Sequence, residues 1–338
     1  MIAHAGKRTL TLENRPYLLS HAAAVGKKEG EGPLGSRFDF VTRNDRMGQK
    51  SWELAESELQ RTAIDLALRK GSLRHCDLDL ILAGDLLNQC IGSFLASMHS
   101  DVPYLGQYGA CSTMAQGLAL GGVLVEAGAA ARLAVSASSH FCSAERQYRF
   151  PLAYGGQRTP TAQWTATAAG AAVLGAEGGS SVRMTHVLFG KMIELGVKDA
   201  NNMGAAMAPA ACDTLSCLLR ELGAQPTDFD CIVTGDLGRV GADLLLTLLR
   251  DDGIDLSPVY SDCGILLFGD TQDAHAGGSG CGCSAAVLCG PLLRDMHEGK
   301  IRRMIFAGTG AMMSPTSVQQ SQPIAGICHA VVLERSGA

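Results

Sequence analysis

The sequence has few charged and few aromatic residues: charged side chains make up 18% of its 338 residues and aromatic side chains 5%. It contains no basic stripe and its net charge is −5, so we expect no nucleic-acid-binding surface. It also lacks an apolar run long enough to span a membrane. The segment Ala115–Ala130 is apolar but glycine-rich and interrupted by Glu126, which is typical of a buried core helix.

The beginning of the chain, Met1–Thr11, is polar and contains no apolar stretch. We therefore expect no secretory signal peptide, and a reducing compartment in which the 12 cysteines stay reduced. Cys281 and Cys283 are separated by one residue, which is closer than the pairs that form zinc sites. The sequence thus predicts neither a metal site nor a cofactor.

Small and apolar residues are abundant. Hydrophobic residues make up 46% of the chain, and there are 41 glycines. This composition permits a sizeable core with helices packed closely on sheets, and the length allows one large or two medium domains.

One ten-residue pattern occurs twice. Asp77–Leu86 reappears as Asp228–Leu237, 151 residues later, with six of ten positions identical. The offset is far too long for a solenoid repeat and is close to half of the chain, so it indicates a duplicated domain. We predict an N-terminal half over residues 1–180 and a C-terminal half over residues 181–338.

Three further pairs of segments match in the same order. They are Leu68–Gly71 with Leu219–Gly223, Tyr108–Cys111 with Tyr260–Cys263, and Gly170–Gly178 with His329–Gly337.

Strands and helices are predicted to alternate in both halves, which implies α/β layers with helices covering the sheets. The predicted strands are 17–26, 78–83, 131–137, 170–174, 231–234, 303–307 and 328–333. The predicted helices are 52–70, with Ser51 as the N-cap, 112–127, 208–222 and 281–297. The polar segments 27–50 and 138–167 are predicted to be loops.

Cys111 lies at the start of the apolar helix 112–127. A helix N-terminus has partial positive charge and unpaired N–H groups, which favour a thiolate over a thiol. This is the environment expected for a reactive cysteine. The alternative interpretation is a small buried residue that packs at a helix start.

Three polar segments are candidates to converge on this cysteine. Ser136–His140 follows a predicted strand, where ligands of α/β proteins bind. Thr159–Thr165 contains Trp164, one of only two tryptophans. Asp270–Gly282 is a glycine-rich loop before a helix, with backbone N–H groups suited to an anion. The alternative for each histidine is a purely structural hydrogen bond.

These motifs resemble the thiolase and ketoacyl-synthase superfamily over nearly the whole chain, and most closely its stage V sporulation protein AD family from spore-forming bacteria. The segments that carry the resemblance are Tyr108–Met114, Ser138–His140, Tyr154–Gln157, Pro160–Trp164 and His275–Gly282. The resemblance implies a thiolase-like fold of duplicated α/β halves in a layered αβαβα sandwich.

The resemblance also indicates which catalytic groups remain. Cys111 occupies the position of the acylated cysteine, and His275 lies near the histidine of a thiolase loop. Ala307, before an expected Gly308–Gly310 turn, replaces the second thiolase cysteine. Gly235–Gly238 stands where the synthases have a histidine or asparagine. Condensation needs a group that moves protons, and a thiol alone supplies only the covalent step.

The resemblance therefore implies a non-catalytic protein of the developing spore that binds dipicolinic acid, or its calcium chelate, for uptake into the spore core. Its implied partners are membrane proteins of the same stage V sporulation operon. It would be made in the cytoplasm and lie peripherally on the spore inner membrane. The candidate ligand-binding residues are Cys111, as a vestigial nucleophile, and His140, Arg158, Gln163, Trp164, His275 and Ser279.

Two other functions stay open. One is an active acyltransferase, similar to ketoacyl synthases or thiolases, that uses Cys111 and coenzyme A thioesters. The other is a structural scaffold for the membrane transporter in which the pocket has collapsed. The superfamily resemblance also implies a homodimer whose interface would lie near Gln89–Phe94.

Overall fold

The computed structural model describes residues 2–148 and 158–336. The strands are β1 (Ile2–His4), β2 (Thr9–Leu12), β3 (Tyr17–Val25), β4 (Phe40–Val41), β5 (Leu80–Gly84), β6 (Tyr104–Gly106), β7 (Arg132–Ser139), β8 (Trp164–Thr165), β9 (Ala168–Gly175), β10 (Val182–Leu188), β11 (Cys231–Thr234), β12 (Tyr260–Asp262), β13 (Gly278–Ser279), β14 (Arg303–Met312) and β15 (Ala325–Arg335). The helices are α1 (Lys27–Gly30), α2 (Trp52–Lys70), α3 (Ile91–Ser97), α4 (Thr113–Glu126), α5 (Phe141–Tyr148), α6 (Met203–Leu222), α7 (Gly238–Asp251), α8 (Cys263–Leu267), α9 (Cys281–Val287), α10 (Leu293–His297) and α11 (Pro315–Gln319).

The main sheet repeats one plan twice. Its order is β12-β11-β14-β15-β10-β3-β9-β7-β5-β6, so strands of the two predicted halves form two separate runs. In the first run β5 is parallel to β6 and β7, and β9 is antiparallel to β7. In the second run β11 is parallel to β12 and β14, and β15 is antiparallel to β14. The duplicated fold class is therefore confirmed; the division at residue 180 stays a prediction.

Strand registers test the repeat residue by residue. Ile81 and Ile232 occupy the same position in β5 and β11, and following their cross-strand partners leads to Val173 on β9 and Val332 on β15. These two valines are also paired by the predicted match between the closing strands. That alignment agrees with the register.

The predicted match of Tyr108–Cys111 with Tyr260–Cys263 is wrong. Tyr260 lies opposite Ile232, whereas the residue opposite Ile81 is Tyr104. In the second half the strand leads directly into α8, while in the first half a loop separates β6 from Cys111. The two segments share the spacing of their tyrosine and cysteine, but these residues are not structurally equivalent.

Helices and sheets form the expected layers. Helix α4 lies between the two runs, since it packs on β5 and β7 and also on β14 and β15. Helix α2 covers the outer face of the first run and α6 that of the second. Residues of both halves, such as Leu118, Leu133 and Met304, share one buried core cluster. No helix in the described ranges has both the length and the apolar character to cross a bilayer.

Most predicted elements are present with shifted ends. Helix 52–70 is confirmed, and the Ser51 hydroxyl accepts a hydrogen bond from the Leu54 N–H at 3.2 Å. Helix α6 begins at Met203 instead of 208 because Asn202 caps it. The predicted loop 138–167 contains α5 and β8, and the predicted loop 27–50 contains α1 and β4. The sequence pattern predicts no element at α7 or β10. The predicted helix 281–297 contains a π-helical turn over Leu288–Leu292.

Gly308–Gly310 lies within β14 and does not form the predicted turn. A β-carbon on Gly310 would lie 2.6 Å from the Gly109 carbonyl oxygen, and one on Gly308 would lie 2.5 Å from Cβ of Ala115. The two glycines therefore allow the strand to pass directly against the loop that carries Cys111.

We predict that the central helix layer carries much of the stability. Leu118 is fully buried in α4, whereas Leu195 is 70% exposed. Leu118→Ala should lower the free energy of unfolding by about 2–5 kcal/mol because it leaves a cavity. The matched Leu195→Ala variant should change it by less than about 0.5 kcal/mol. Urea unfolding measures both, and equal losses would contradict the predicted difference.

Candidate functional site

Cys111 lies just before α4, where the first half meets the second. Its side chain is buried, and the preceding Ala110 has a left-handed φ of 49°. The second half brings Asp236, Ser279 and Thr309 to this point. The site is therefore built across the duplication and belongs to neither half alone.

A buried carboxyl group, Asp236, organises this site. The Thr309 hydroxyl donates to its Oδ1 at 3.0 Å, and the Gly280 N–H and Ser279 hydroxyl donate to its Oδ2 at 2.9 and 3.2 Å. The Cys111 thiol also interacts with it electrostatically. Sequence reasoning treated this position only as lacking a histidine or asparagine. Its place after a repeated strand was the signal that could have identified it.

Burial raises the pKa values of both groups. Burial raises the pKa of Asp236 to about 7. Burial, followed by the negative charge of Asp236, raises the pKa of Cys111 well above 9.0. This contradicts the expectation that the helix start favours a thiolate. The site keeps its cysteine as a neutral thiol.

Gly280 is required at this point by two independent constraints. Its φ is +98°, a conformation that L side chains rarely adopt. A β-carbon would also lie 2.6 Å from the Ser139 hydroxyl oxygen. The glycine thus permits the close approach that directs its N–H at Asp236.

Gln163 links the cysteine site to the neighbouring tryptophan. Its Nε2 donates to the main-chain oxygens of Asp236 at 2.7 Å and Gly278 at 2.8 Å. In the two-stranded ladder of β8 and β13, Trp164 lies opposite Gly278 and Thr165 opposite Ser279. Gln163 is buried, and its Oε1 has no hydrogen-bond partner in the described ranges.

Two cationic side chains lie over the Trp164 indole. The Lys28 Nζ is 3.6 Å from the ring centroid and the Arg158 Cζ 4.9 Å. Phe141 stacks on the indole at 4.0 Å with an interplanar angle of 10°. Since Phe141 covers one face, the cations occupy the other. Sequence reasoning missed Lys28, which stands in the segment predicted to be a polar loop.

Lys28 and Arg158 each have further partners. Burial lowers the pKa of Lys28, and the charge of Asp273 opposes this shift. Arg158 donates to the Gln163 carbonyl oxygen and lies 3.5 Å from the Glu145 carboxylate. Both cations are thus held close to the β8 strand.

A cavity of about 280 Å³ adjoins this cluster. Phe268 lines it and lies 5.9 Å from the Lys28 Nζ. His275 also lines it, with its Nε2 3.1 Å from the Asp273 carboxylate and a main-chain bridge to Gln163. The other lining residues are Arg239, Ile265, Gly269, Asp270, Asp273, Ala274 and Gly277.

His140 stands apart from both groups. Its Nε2 bonds to the Asp45 carbonyl oxygen at 2.9 Å, and its Nδ1 accepts from the Cys142 N–H at 3.1 Å. It also packs on Trp52, and burial lowers its pKa. A neutral ring with both nitrogens engaged has a structural role here, so direct contact with a ligand would require one bond to break.

The predicted site residues therefore form two neighbouring groups and one outlier. Cys111 and Ser279 meet at Asp236, with Gln163 beside them; Arg158 and Trp164 meet at Lys28, with His275 on the adjoining cavity; His140 is separate. The segment Tyr154–Gln157 lies outside the described residues. Within the described ranges, no group of three or more His, Cys, Asp or Glu side chains is arranged to hold a metal.

Solved structures of condensing enzymes share this architecture. The chain superposes on 3-oxoacyl-[acyl-carrier-protein] synthase III from Aquifex aeolicus with a TM-score of 0.59 and 14% identity, covering 94% of this chain and 99% of that one. The corresponding enzyme from Pseudomonas aeruginosa superposes with a TM-score of 0.59 and 15% identity, covering 96% of this chain and 99% of that one. OleA from Xanthomonas campestris, in a structure with cerulenin, superposes with a TM-score of 0.60 and 13% identity, covering 95% of this chain and 96% of that one. At these identities the likeness concerns the fold, which is thiolase-like.

Sequence comparison identifies the family. The model of the family described as stage V sporulation protein AD matches residues 6–334. Stage V sporulation protein AD of Bacillus subtilis strain 168 is 42% identical over 332 residues, which cover 98% of each chain. The resemblance seen in the motifs is confirmed: this chain belongs to the stage V sporulation protein AD family.

Proposed function

We propose that the protein binds dipicolinate, free or as its calcium chelate, and does not catalyse acyl transfer. The observation that carries the proposal is the pair of cations, Lys28 and Arg158, over the Trp164 indole beside a cavity. Dipicolinate is a flat aromatic dianion, so it needs an aromatic surface and cationic donors for two carboxylates.

The cluster offers each of these features. The Lys28 ammonium now lies over the indole, an attraction worth about 0.5–2 kcal/mol. A ligand carboxylate provides a stronger, charge-assisted partner for the same group. Moving both cationic groups off the ring, each toward one ligand carboxylate, would free the indole face for the pyridine ring. Phe268 and Arg239 extend this surface into the cavity.

Family membership supports a role in sporulation. On this proposal the protein delivers dipicolinate toward the spore core through membrane partners of the same operon, while lying peripherally on the spore inner membrane. Two residues of the proposed ligand site, Arg158 and Trp164, follow residues 149–157, which lie outside the described ranges.

The environment of Cys111 supports a non-catalytic role. Nucleophilic cysteines are activated by a base or by a cationic neighbour that lowers their pKa. Here the ionisable group with the largest electrostatic effect on the thiol is the Asp236 carboxyl, and its charge raises the pKa of the thiol. A thiolate beside a carboxylate in a buried site is disfavoured by desolvation and repulsion.

One observation favours the alternative, an acyltransferase. Asp236 interacts with the Cys111 thiol, and burial raises its pKa to about 7, which suits a general base near neutral pH. On this alternative Asp236 would take the thiol proton as the acyl group arrives.

A homodimer is the further partner that we propose. Strand β6 is at the end of the sheet, with one edge open in the described chain. Phe94, Met98 and Leu105 are exposed around it. A second copy placed against this edge would pair the strand and cover the apolar residues. The predicted segment Gln89–Phe94 borders this surface.

We predict that dipicolinate binds saturably, with or without calcium, and that Lys28→Gln weakens it about tenfold to a hundredfold through loss of a charge-assisted bond. The Trp52→Phe background leaves Trp164 as the only tryptophan, so its fluorescence reports binding. Lys27→Gln, the exposed neighbour on α1, is the matched control and should retain wild-type affinity. If wild-type protein shows no saturable binding under either condition, the proposal fails.

We predict that acetyl-coenzyme A leaves no acetyl group on Cys111. Intact-mass and peptide mass spectrometry after incubation test this, and alkylation by iodoacetamide at pH 7.5 should modify exposed Cys76 far faster than buried Cys111. An acetyl adduct on Cys111 that forms in wild type and disappears in Asp236→Asn would instead establish the acyltransferase.

We predict a pH-dependent stability term from Asp236. Its pKa rises from 3.8 in the unfolded chain to about 7 in the fold, so the folded state holds the extra proton between these values. The free energy of unfolding from this group therefore falls as pH rises through that window, by up to about 1.4 kcal/mol per pH unit. Urea unfolding at pH 5, 6, 7 and 8 should show a slope that is less steep in Asp236→Asn by this contribution and unchanged in the exposed Asp243→Asn, since other buried carboxyls such as Glu29 keep their own contributions. An unchanged slope in Asp236→Asn would refute the assignment.

A further inference from the structure

A second buried acidic cluster lies in the first half, away from the cysteine and tryptophan groups. Glu56 on α2 and Asp85 after β5 are both fully buried. A β-carbon on Gly92 would lie 3.3 Å from Asp85 Oδ2 and 3.4 Å from Glu56 Cδ. Both carboxyl groups therefore border the same small volume, between α2, α3 and the end of the sheet.

Every hydrogen bond that the described residues make to these two carboxyl groups comes from a neutral donor. The Ser138 and Ser143 hydroxyls donate to Glu56 at 3.2 and 2.6 Å. The main-chain N–H and hydroxyl of Ser93 donate to Asp85 at 2.7 and 2.6 Å, and the Leu87 N–H donates at 2.8 Å. Across residues 2–148 and 158–336, no lysine, arginine or histidine is ion-paired with either. Within the described ranges, their charge thus has no cationic partner.

The duplication shows that packing alone does not require these groups. The burial pattern of α2 recurs in α6 at the repeat offset of 151, so Glu56 corresponds to Met207 and Gln60 to Ala211. All four side chains are fully buried. Apolar residues fill the same place in the second half, whereas the first half buries a carboxyl and an amide at a considerable desolvation cost.

Gln60 provides the second, independent indication of a ligand. It is one turn after Glu56 on the same face of α2, and its Nε2 donates to the carbonyl oxygen of Gly84, the residue before Asp85, at 3.4 Å. Its Oε1 is buried and has no hydrogen-bond partner in the described ranges. A buried amide oxygen without a donor, on a side chain one helical turn from Glu56 and bonded to the residue before Asp85, has the chemistry of a cation ligand.

We propose that Glu56, Asp85 and Gln60 Oε1 form a binding site for one hard divalent cation of the calcium type. Two carboxylates balance a double positive charge, and carboxylate, amide and hydroxyl oxygens are the ligands that Ca²⁺ prefers. The site holds two ionisable ligands and completes its shell with neutral oxygens, such as the Ser93 hydroxyl and water. It is independent of dipicolinate binding.

The competing explanation is a proton shared by the two acids. Burial, and then the charge of Asp85, raise the pKa of Glu56, and a proton would also relieve their repulsion. The two explanations differ in their response to Ca²⁺. The measurement should be made at pH 8, where protons compete least with the metal.

The experiment is thermal unfolding of chelator-treated protein at pH 8, after overnight equilibration with increasing CaCl₂. A saturable rise in Tm of about 4 °C at a hundredfold excess over Kd is expected. Glu56→Met, which introduces the residue of the other half, should fold and lose this rise. Gly92→Ala, which fills the volume between the carboxyls, should lose it as well, and the exposed Asp243→Asn should keep it.

Three outcomes overturn the proposal. They are the absence of a calcium-dependent shift in wild type, an equal shift in Glu56→Met, and an equal shift in Gly92→Ala. A Tm of Glu56→Met above wild type without calcium, together with loss of the calcium response, supports a functional cation site, because it shows that the carboxyl destabilises the unliganded fold.

Discussion

The hydrogen bonds to the Asp236 carboxyl hold the centre of this protein together. Asp236 accepts from Thr309, Ser279 and Gly280 of its own half and contacts Cys111 of the other. A carboxyl buried this deeply is stable only when its oxygens are satisfied. Gly308 and Gly310 of β14 let that strand pass close to the loop that carries Cys111, and Gly280, with its positive φ, directs its N–H at the Asp236 carboxyl.

The same requirement explains how charge is distributed around the site. The interior near Cys111 is acidic, whereas Lys28, Arg158 and Arg239 lie farther out, at the tryptophan and the cavity. A dianion would be repelled by Asp236 but attracted by the outer cations. This charge distribution is the reason that the proposed ligand site lies beside Trp164 and not at the thiol.

The two halves share one fold, but the polar residues at equivalent positions of the two halves differ. Asp85 and Asp236 occupy the same repeat position after their strands. Asp236 faces a thiol and hydroxyls, whereas Asp85 lies close to Glu56. The residue of the second half that corresponds to Glu56 is Met207. Glu56 and Met207 are equally buried at equivalent positions, but only Glu56 is polar. Packing at this position therefore does not require a carboxyl group.

The sequence by itself determined the architecture, because the repeat, the alternating apolar segments and the Ser51 cap are local signals. It also identified Cys111, Ser279, Gln163 and Trp164 as a polar constellation. Only the tertiary structure decided their grouping, brought Lys28 onto the indole and Asp236 onto the thiol, and engaged both nitrogens of His140. The contacts of Lys28 with Trp164, of Asp236 with Cys111 and of His140 with Asp45 join residues 95 or more positions apart. Neither the direction of a pKa shift nor the partner of a side chain is a property of local sequence.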